Sequence, residues 1–268
     1  MSVRSLSGLA RSHRIAAMLL TAWSLTATVQ AEAQSFDHSA FDRLLGEHVD
    51  PQGFVDYDAF VDSPDLEAYL DALARVDMSL LPATERLALW INAYNAYTIA
   101  LINKHEERRS IRNINRTLGF LAGKGPWTER IARVGGATYT LDEIEHAIIR
   151  PRFLEPRIHF ALVCAAAGCP PLRQEAYTGA ELEAQLDDQA EAFLLESPAR
   201  NRVDVATGAV HLSPIFDWYG EDFGRDDREL LRYVARFFPD GPERDLLLKT
   251  DTPIRFTDYD WSLNIQPR

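Results

Sequence analysis

The chain has 268 residues, of which 46% are hydrophobic and 25% are charged, a balance that is typical of globular proteins and excludes a disordered or collagen-like chain. Its formal net charge of −12 argues against a general nucleic-acid binder, because binding to phosphate groups requires a basic surface. Two cysteines are too few for a small scaffold held together by several disulfides.

Residues 1–33 have the pattern of a secretory signal peptide. Several arginines precede an apolar run over residues 15–29, and Ala31 and Ala33 are the small residues that signal peptidase reads. The run is too short for a comfortable membrane span, and no later segment approaches that length. We therefore predict a signal peptide over residues 1–33, a single domain over residues 34–268, a periplasmic or secreted location, and no membrane span after cleavage.

Apolar periodicity predicts a series of helices along the chain, at residues 37–48, 63–76, 82–103, 141–150, 181–195 and 226–238. We expect Pro151 to end the fourth of them. Residues 131–140 and 203–212 have the residue pattern and the central glycines of β-hairpins. The continuous apolar run 158–164 and the short segment 254–256 are predicted to be strands, the first of them buried. Together these elements predict an α+β fold: a single compact domain of mixed helices with a small, mostly antiparallel sheet that includes two β-hairpins.

Two asparagines interrupt the most apolar of the predicted helices. Asn92 and Asn95 are three residues apart, so they share one face of a helix that is otherwise apolar nearly all round. Buried amides need hydrogen-bond partners. Both residues are therefore predicted either to hold a neighbouring loop in place or to form part of a pocket wall.

A carboxylate interrupts the core face of the predicted helix at residues 141–150. Aliphatic residues define that face, and Glu145 falls among them with His146 beside it. A carboxylate at such a position must be paired or protonated. Glu145 is thus predicted either to form a buried ion pair, with Arg150 or Arg157 as candidate partners, or to act as a general base or metal ligand.

A histidine and two cysteines accompany the predicted buried strand. His159 and Cys164 are five residues apart, so in a straight strand their side chains face opposite sides. Cys164 and Cys169 are close enough in sequence for a local disulfide, although their spacing is neither that of a C-x-x-C redox motif nor that of a zinc ribbon. Free thiols, a disulfide and metal ligation all stay open for this pair.

The chain resembles the domain-of-unknown-function 547 (DUF547) family in five ordered segments, LWINAYNAYTIALI, LDEIEHAIIRP, RIHFALVCAAAGCPPLR, IFDWYGEDF and YDWSLN. The recurring features of the family fall here on Asn92, Tyr94, Asn95, Glu145, His146, His159, Cys164, Cys169, Pro170, Trp218, Tyr219, Asp222, Phe223, Trp261 and Asn264. The family pattern often has asparagine before the first cysteine and glycine after it, where this chain has Val163 and Ala165. The resemblance implies a compact α+β domain, commonly secreted in bacteria, and it brings no established reaction.

The first functional hypothesis is a binding or structural domain in which a Cys164–Cys169 disulfide pins a loop. Its partner is a small molecule or a protein, and not a nucleic acid. Aromatic side chains, including that of Trp261, would line a ligand groove. The candidate substrate-binding residues are Asn92, Asn95, Trp218, Tyr219 and Asp222.

The second hypothesis is a thiol-dependent hydrolase or acyl transferase, in which a cysteine is the nucleophile and a nearby histidine converts its thiol into the reactive thiolate. Glu145 or Asp222 would orient the histidine, and Asn92 or Asn95 could stabilise an oxyanion. The candidate catalytic residues are Glu145, His146, His159, Cys164 and Cys169.

The third hypothesis is a metal site. His146, His159, Glu145 and the cysteines are acceptable ligands for zinc or copper. Their spacing matches no recognised metal motif, so we predict no metal ligand set, and we expect no cofactor.

Overall fold

The structure is a computed structural model that describes residue 1, residues 34–115 and residues 125–267. The predicted signal peptide lies, apart from its first residue, outside the described residues. The described helices are, in chain order, α1 (Ser39–His48), α2 (Pro64–Arg75), α3 (Ala83–Lys104), a π-helix (Glu143–Ile149), α4 (Arg150–Phe153), α5 (Ile158–Ala161), α6 (Leu182–Leu195), α7 (Ile215–Trp218), α8 (Gly220–Phe223), α9 (Asp227–Ala235) and α10 (Pro242–Leu248). Short 3₁₀ helices lie at Tyr57–Phe60, Met78–Leu80, Ile111–Asn113 and Pro126–Thr128.

The helices predicted at 37–48, 63–76, 82–103, 181–195 and 226–238 are confirmed as α1, α2, α3, α6 and α9. Two of them, α2 and α9, begin with a side-chain cap. The Ser63 hydroxyl accepts a hydrogen bond from the Leu66 amide, and the Asp226 carboxylate accepts one from the Glu229 amide at 2.9 Å. Sequence therefore sets these helix starts locally, independently of the packing around them.

The strands form two small sheets. The first pairs β1 (Ala132–Val134) with β2 (Ala137–Tyr139) antiparallel, and the second pairs β4 (Ala209–Leu212) antiparallel with β3 (Arg202–Asp204) and parallel with β5 (Ile254–Phe256). Gly135 and Gly136 in the first turn have φ of 57° and 80°, which a glycine adopts without steric cost. Both predicted hairpins and the α+β class are confirmed, and the second sheet is mixed.

Helix α3 is buried on nearly all of its faces, as its apolar sequence predicts. A first hydrophobic cluster surrounds it and extends to Leu162 and Cys169. A second cluster is built around four stacked or tilted phenylalanine rings and includes Ile215. These rings belong to Phe160, Phe193, Phe216 and Phe223.

The prediction of a buried strand at 158–164 is wrong. Ile158–Ala161 forms the single-turn helix α5, which the Leu162 amide closes with a 2.9 Å hydrogen bond to the Ile158 carbonyl. A continuous apolar run suits a buried helical turn as well as a buried strand, so periodicity alone does not distinguish them. The expectation that His159 and Cys164 face opposite sides, which assumed a straight strand, fails with it.

The prediction that the helix at 141–150 ends at Pro151 is also wrong. The chain widens into the π-helix, in which the Arg150 amide donates to the Glu145 carbonyl five residues earlier. It then continues through Pro151 as α4. Pro151 is tolerated because it lies in the first turn of α4, where a backbone N–H is not required.

Candidate functional site

A cleft with a cavity volume of about 200 Å³ brings most of the predicted site residues together. Its polar and charged lining comes from the first turns of the π-helix and from α5, whereas its aromatic and sulfur-containing lining comes mainly from the loop after α5, from the α7 region and from the C-terminal segment. The cleft is lined by Tyr94, Trp127, Asp142, Glu145, His146, His159, Leu162, Cys164, Cys169, Pro170, Ile215, Trp218, Tyr219, Tyr259 and Trp261.

The π-helix places Glu145 in the cleft while the aliphatic residues around it stay in the core. Ile144 and Ile148 are at most 4% exposed, and Glu145 itself is 8% exposed. The Tyr219 phenol lies in the same cleft wall, close enough to interact with the Glu145 carboxylate. Burial, reinforced by the charge of Glu145, raises the pKa of Tyr219, so the phenol stays protonated and can donate to the carboxylate at neutral pH.

Neither arginine expected to neutralise Glu145 does so. Arg150 forms ion pairs with Asp222 and Glu221, at 2.6 Å and 2.9 Å. Arg157 is paired with three other carboxylates, those of Glu155, Glu183 and Asp187. The predicted buried ion pair of Glu145 with Arg150 or Arg157 is therefore absent from the described residues, and the carboxylate faces the cleft.

His159 is held between two carboxylates. Its Nε2 lies 2.6 Å from Oδ2 of Asp222, and its Nδ1 lies 3.9 Å from Oε1 of Glu145. The imidazole is 4% exposed and stacks on the Tyr219 ring with a centroid separation of 4.1 Å. Since an ionised carboxylate only accepts hydrogen bonds, Nε2 carries the proton toward Asp222.

Asp222 does not line the cleft but supports His159 from behind. Burial raises its pKa, but the hydrogen bonds from His159 and Arg150 outweigh this effect and lower the pKa well below its usual value of 3.8. Arg150 donates to both carboxylate oxygens, at 2.6 Å and 3.0 Å, and its guanidinium lies 5.3 Å from the centroid of the Tyr219 ring. Asp222 is thus ionised at neutral pH and fixes the orientation of the imidazole.

Cys164 and Cys169 are joined by a disulfide bond in the wall of the cleft. The bond selects one of the three states that the sequence leaves open. With it formed, neither sulfur is a nucleophile, so the thiol-enzyme hypothesis stays a prediction for the reduced protein only. Ala165 within the loop has φ of 62°, in the left-handed region. Glycine adopts that conformation without steric cost, which accounts for the glycine that the family pattern often has at this position.

Aromatic rings form the outer part of the cleft. The Tyr259 ring packs against both Trp218 and Trp261, with centroid separations of 4.8 Å and 4.5 Å, and the two indoles stack on each other at 5.8 Å. Trp127 meets Trp261 edge-on at 6.2 Å. Trp218 is 47% exposed, which is unusual for so large an apolar side chain. The predicted groove residues Trp218, Tyr219 and Trp261 therefore do lie together.

Asn92 and Asn95 lie away from the cleft lining and bind backbone groups. Asn92 donates to the Tyr177 carbonyl at 2.7 Å and accepts from the Tyr177 amide at 2.9 Å. Asn95 donates to the Ala161 carbonyl at 3.0 Å and accepts from the Val163 amide at 2.9 Å. Each side-chain amide therefore supplies the hydrogen bonds that these backbone groups would otherwise make to a neighbouring strand. This is the loop-holding role that the sequence allows.

Asp142, Tyr259 and Trp127 line the cleft but are not among the site residues predicted from the sequence. Asp142 lies in the segment LDEIEHAIIRP and Tyr259 in the segment YDWSLN, so the resemblance to the family could have identified both. Trp127 follows a glycine-proline loop and carries no such signal. In the part of the chain that the structure describes, no group of three or more histidine, cysteine, aspartate and glutamate side chains is arranged to hold a metal ion.

One family model matches part of the chain. Residues 78–194 match the family model described as "Protein of unknown function, DUF547", and the resemblance to that family is confirmed. The matched stretch contains Trp127, Glu145, His146, His159 and both cysteines but ends before Trp218 and Trp261. No curated protein and no solved structure matches the chain. Among the described residues, no helix has the length and hydropathy needed to span a membrane.

Proposed function

We propose that this chain is a secreted or periplasmic binding domain whose cleft takes a small ligand with a positively charged group. The observation that carries the proposal is the composition of the cleft wall. It combines several aromatic ring faces with the carboxylates of Asp142 and Glu145, and no lysine or arginine is among its described lining residues. Aromatic faces and carboxylates attract cations, and a desolvated cleft strengthens both attractions.

Size supports the same class of ligand. A cavity of about 200 Å³ is smaller than the ~300–1,000 Å³ that drug-sized ligands occupy, so it suits a small amine or a single cationic substituent of a larger molecule. The nearby cation Arg150 does not compete for the cleft carboxylates, because it is committed to Asp222 and Glu221. The Cys164–Cys169 bond fixes the loop that forms one wall.

Ligand-observed NMR titrations test the proposal with three probes: tetramethylammonium, butylammonium and neutral tert-butanol. We expect both cations to bind and tert-butanol to bind more weakly by about tenfold or by a larger factor, because it lacks the charge. Glu145→Gln and Trp218→Ala are each expected to weaken cation binding by about tenfold.

The matched control for this titration is Phe256→Ala. Phe256 is 46% exposed, close to the 47% of Trp218, but lies on β5 outside the cleft lining. This variant should bind the cations as the unmodified protein does. Equal binding of tert-butanol, or unchanged affinity in both cleft variants, would refute the proposal.

Location is tested on protein expressed from its full sequence. We propose that export removes the leader near Ala33, because residues 1–33 have the signal pattern and an intramolecular disulfide is compatible with an oxidising compartment. Intact mass and N-terminal sequencing of the periplasmic or secreted fraction should show a chain that begins close to residue 34. Recovery of the whole chain with its leader, in the cytoplasmic fraction, would contradict this.

A further inference from the structure

The surroundings of the disulfide differ from those of a bond that only pins a loop. Cys169 is 2% exposed, whereas Cys164 is partly exposed, and both line the cleft. The Cys164 amide donates to Sγ of Cys169 at 3.1 Å, and the Tyr259 hydroxyl lies 3.1 Å from Sγ of Cys169 and 3.2 Å from Sγ of Cys164. A disulfide sulfur is a weak acceptor and gains little from such donors, whereas a thiolate at the same place gains much more.

We propose that the Cys164–Cys169 bond is a thiol–disulfide exchange centre, at which a thiol-bearing molecule entering the cleft attacks Cys164 and releases Cys169 as the leaving thiolate. The assignment of the two roles follows from access and from the donors. Cys164 is the more exposed sulfur, and Cys169 is the sulfur that accepts from the Cys164 amide while also lying within reach of the phenol.

The exchange is balanced with a low-molecular-weight thiol as the reductant. The incoming thiolate forms a bond to Sγ of Cys164, the bond between the cysteines breaks, and its electron pair stays on Sγ of Cys169. A second thiol then attacks the mixed disulfide and releases Cys164 as a thiol. The protein disulfide has gained two electrons and two protons, and two small thiols have become one small disulfide; the reverse sequence oxidises the protein again.

Tyr259 is well suited to this role as donor. Burial raises its pKa, so the hydroxyl keeps its proton at neutral pH and can donate to a developing thiolate. Its ring packs against both Trp218 and Trp261, so the hydroxyl is already positioned at the sulfurs and no reorganisation is needed during the exchange.

The test is the rate at which reduced glutathione opens the bond in the folded, full mature chain, followed by alkylation and intact mass. We expect the unmodified protein to be reduced while circular dichroism shows it folded. Tyr259→Phe should slow the reduction about tenfold, because it removes a hydrogen bond to the leaving thiolate and keeps the ring. Tyr139→Phe, the same substitution outside the cleft, should leave the rate unchanged.

Single-cysteine variants test the direction of attack. With glutathione disulfide, Cys169→Ser should accumulate a mixed disulfide on Cys164, and Cys164→Ser should react much more slowly through the buried Cys169. Should these variants fail to fold, the Tyr259→Phe comparison still decides the question. A bond that glutathione opens only in unfolded protein, a Tyr259→Phe rate equal to that of the unmodified protein, or faster trapping on Cys169 would each overturn the proposal.

Discussion

Between neutral pH and about pH 4, the free energy of unfolding is expected to fall by about 3 kcal/mol through one buried histidine, His38. Burial lowers the pKa of His38 from 6.5 to about 4, against a smaller opposite effect of the Asp37 charge. Between these two pKa values the unfolded chain binds a proton that the folded protein excludes. The contribution of neutral His38 is therefore fully present above pH 6.5 and is lost as the pH falls to about 4.

The hydrogen bonds around His38 explain why the folded protein favours the neutral ring. The side-chain nitrogen of Asn92, which can only donate, lies 3.1 Å from Nδ1, and the Tyr69 hydroxyl lies 2.8 Å from the same atom. Nδ1 is therefore the acceptor, and a second proton there would meet the Asn92 amide. The nearest carboxylate, Glu85, is 3.6 Å from Nε2, and both of its oxygens already accept hydrogen bonds from backbone amides.

Urea unfolding over this pH range measures the effect in the unmodified protein and in His38→Asn, whose side-chain oxygen can replace Nδ1 as an acceptor and does not titrate. We expect the difference between the two free-energy curves to change by about 3 kcal/mol. The control is His105→Asn, at a histidine that is partly exposed. This variant should lose as much stability in acid as the unmodified protein does. Parallel curves for the unmodified protein and His38→Asn would show that His38 is not the source.

Asn95→Ala is expected to lower the free energy of unfolding by about 3 kcal/mol. The substitution leaves the Ala161 carbonyl and the Val163 amide without their side-chain partner in a region where both residues are at most 3% exposed. Each buried backbone group left unpaired costs roughly 1–3 kcal/mol. The loss also frees the chain between α5 and Cys164, so the cleft wall should loosen as stability falls.

Equilibrium unfolding in urea measures this second effect, with Asn113→Ala as the control. The Asn113 side chain forms one 3.3 Å hydrogen bond to the Glu107 carboxylate in a partly exposed region, so its removal should cost less than about 1 kcal/mol. Asn95→Asp should resemble Asn95→Ala, because a carboxylate can accept from Val163 but cannot donate to Ala161. A loss below about 1 kcal/mol for Asn95→Ala would contradict the backbone-pairing role.

Much of the helical architecture could be predicted from the sequence because its determinants are local. The N-terminal ends of α2 and α9 follow from the capping residues Ser63 and Asp226, and the β1–β2 turn follows from two adjacent glycines. The all-round apolar pattern of α3 predicts its burial. Each of these signals acts within a few residues, so the rest of the chain does not need to be known.

The shape of the cleft could not be predicted in the same way, because it depends on contacts distant in sequence. The sequence offers both Glu145 and Asp222 to orient a histidine, but only the fold shows that Asp222 contacts His159. Nothing in the sequence indicates that Tyr259 reaches the two sulfurs. The helical turn of α5 was missed because an apolar run of this length suits either state until Asn95 is placed beside it. The state of the cysteines was likewise open until the fold placed both sulfurs in one wall.

The π-helix makes the cleft sensitive to the number of residues in its wall as well as to their identities. An α-helix turns by about 100° per residue, so closing the same segment as an ordinary α-helix, one residue shorter, would rotate Glu145 relative to the core face by roughly that angle. The isoleucines can stay in the core while Glu145 reaches the cleft because the wider turn of the π-helix accommodates one additional residue. In alignments of related chains, the spacing between Thr140 and Pro151 is therefore as informative about this cleft as the glutamate itself.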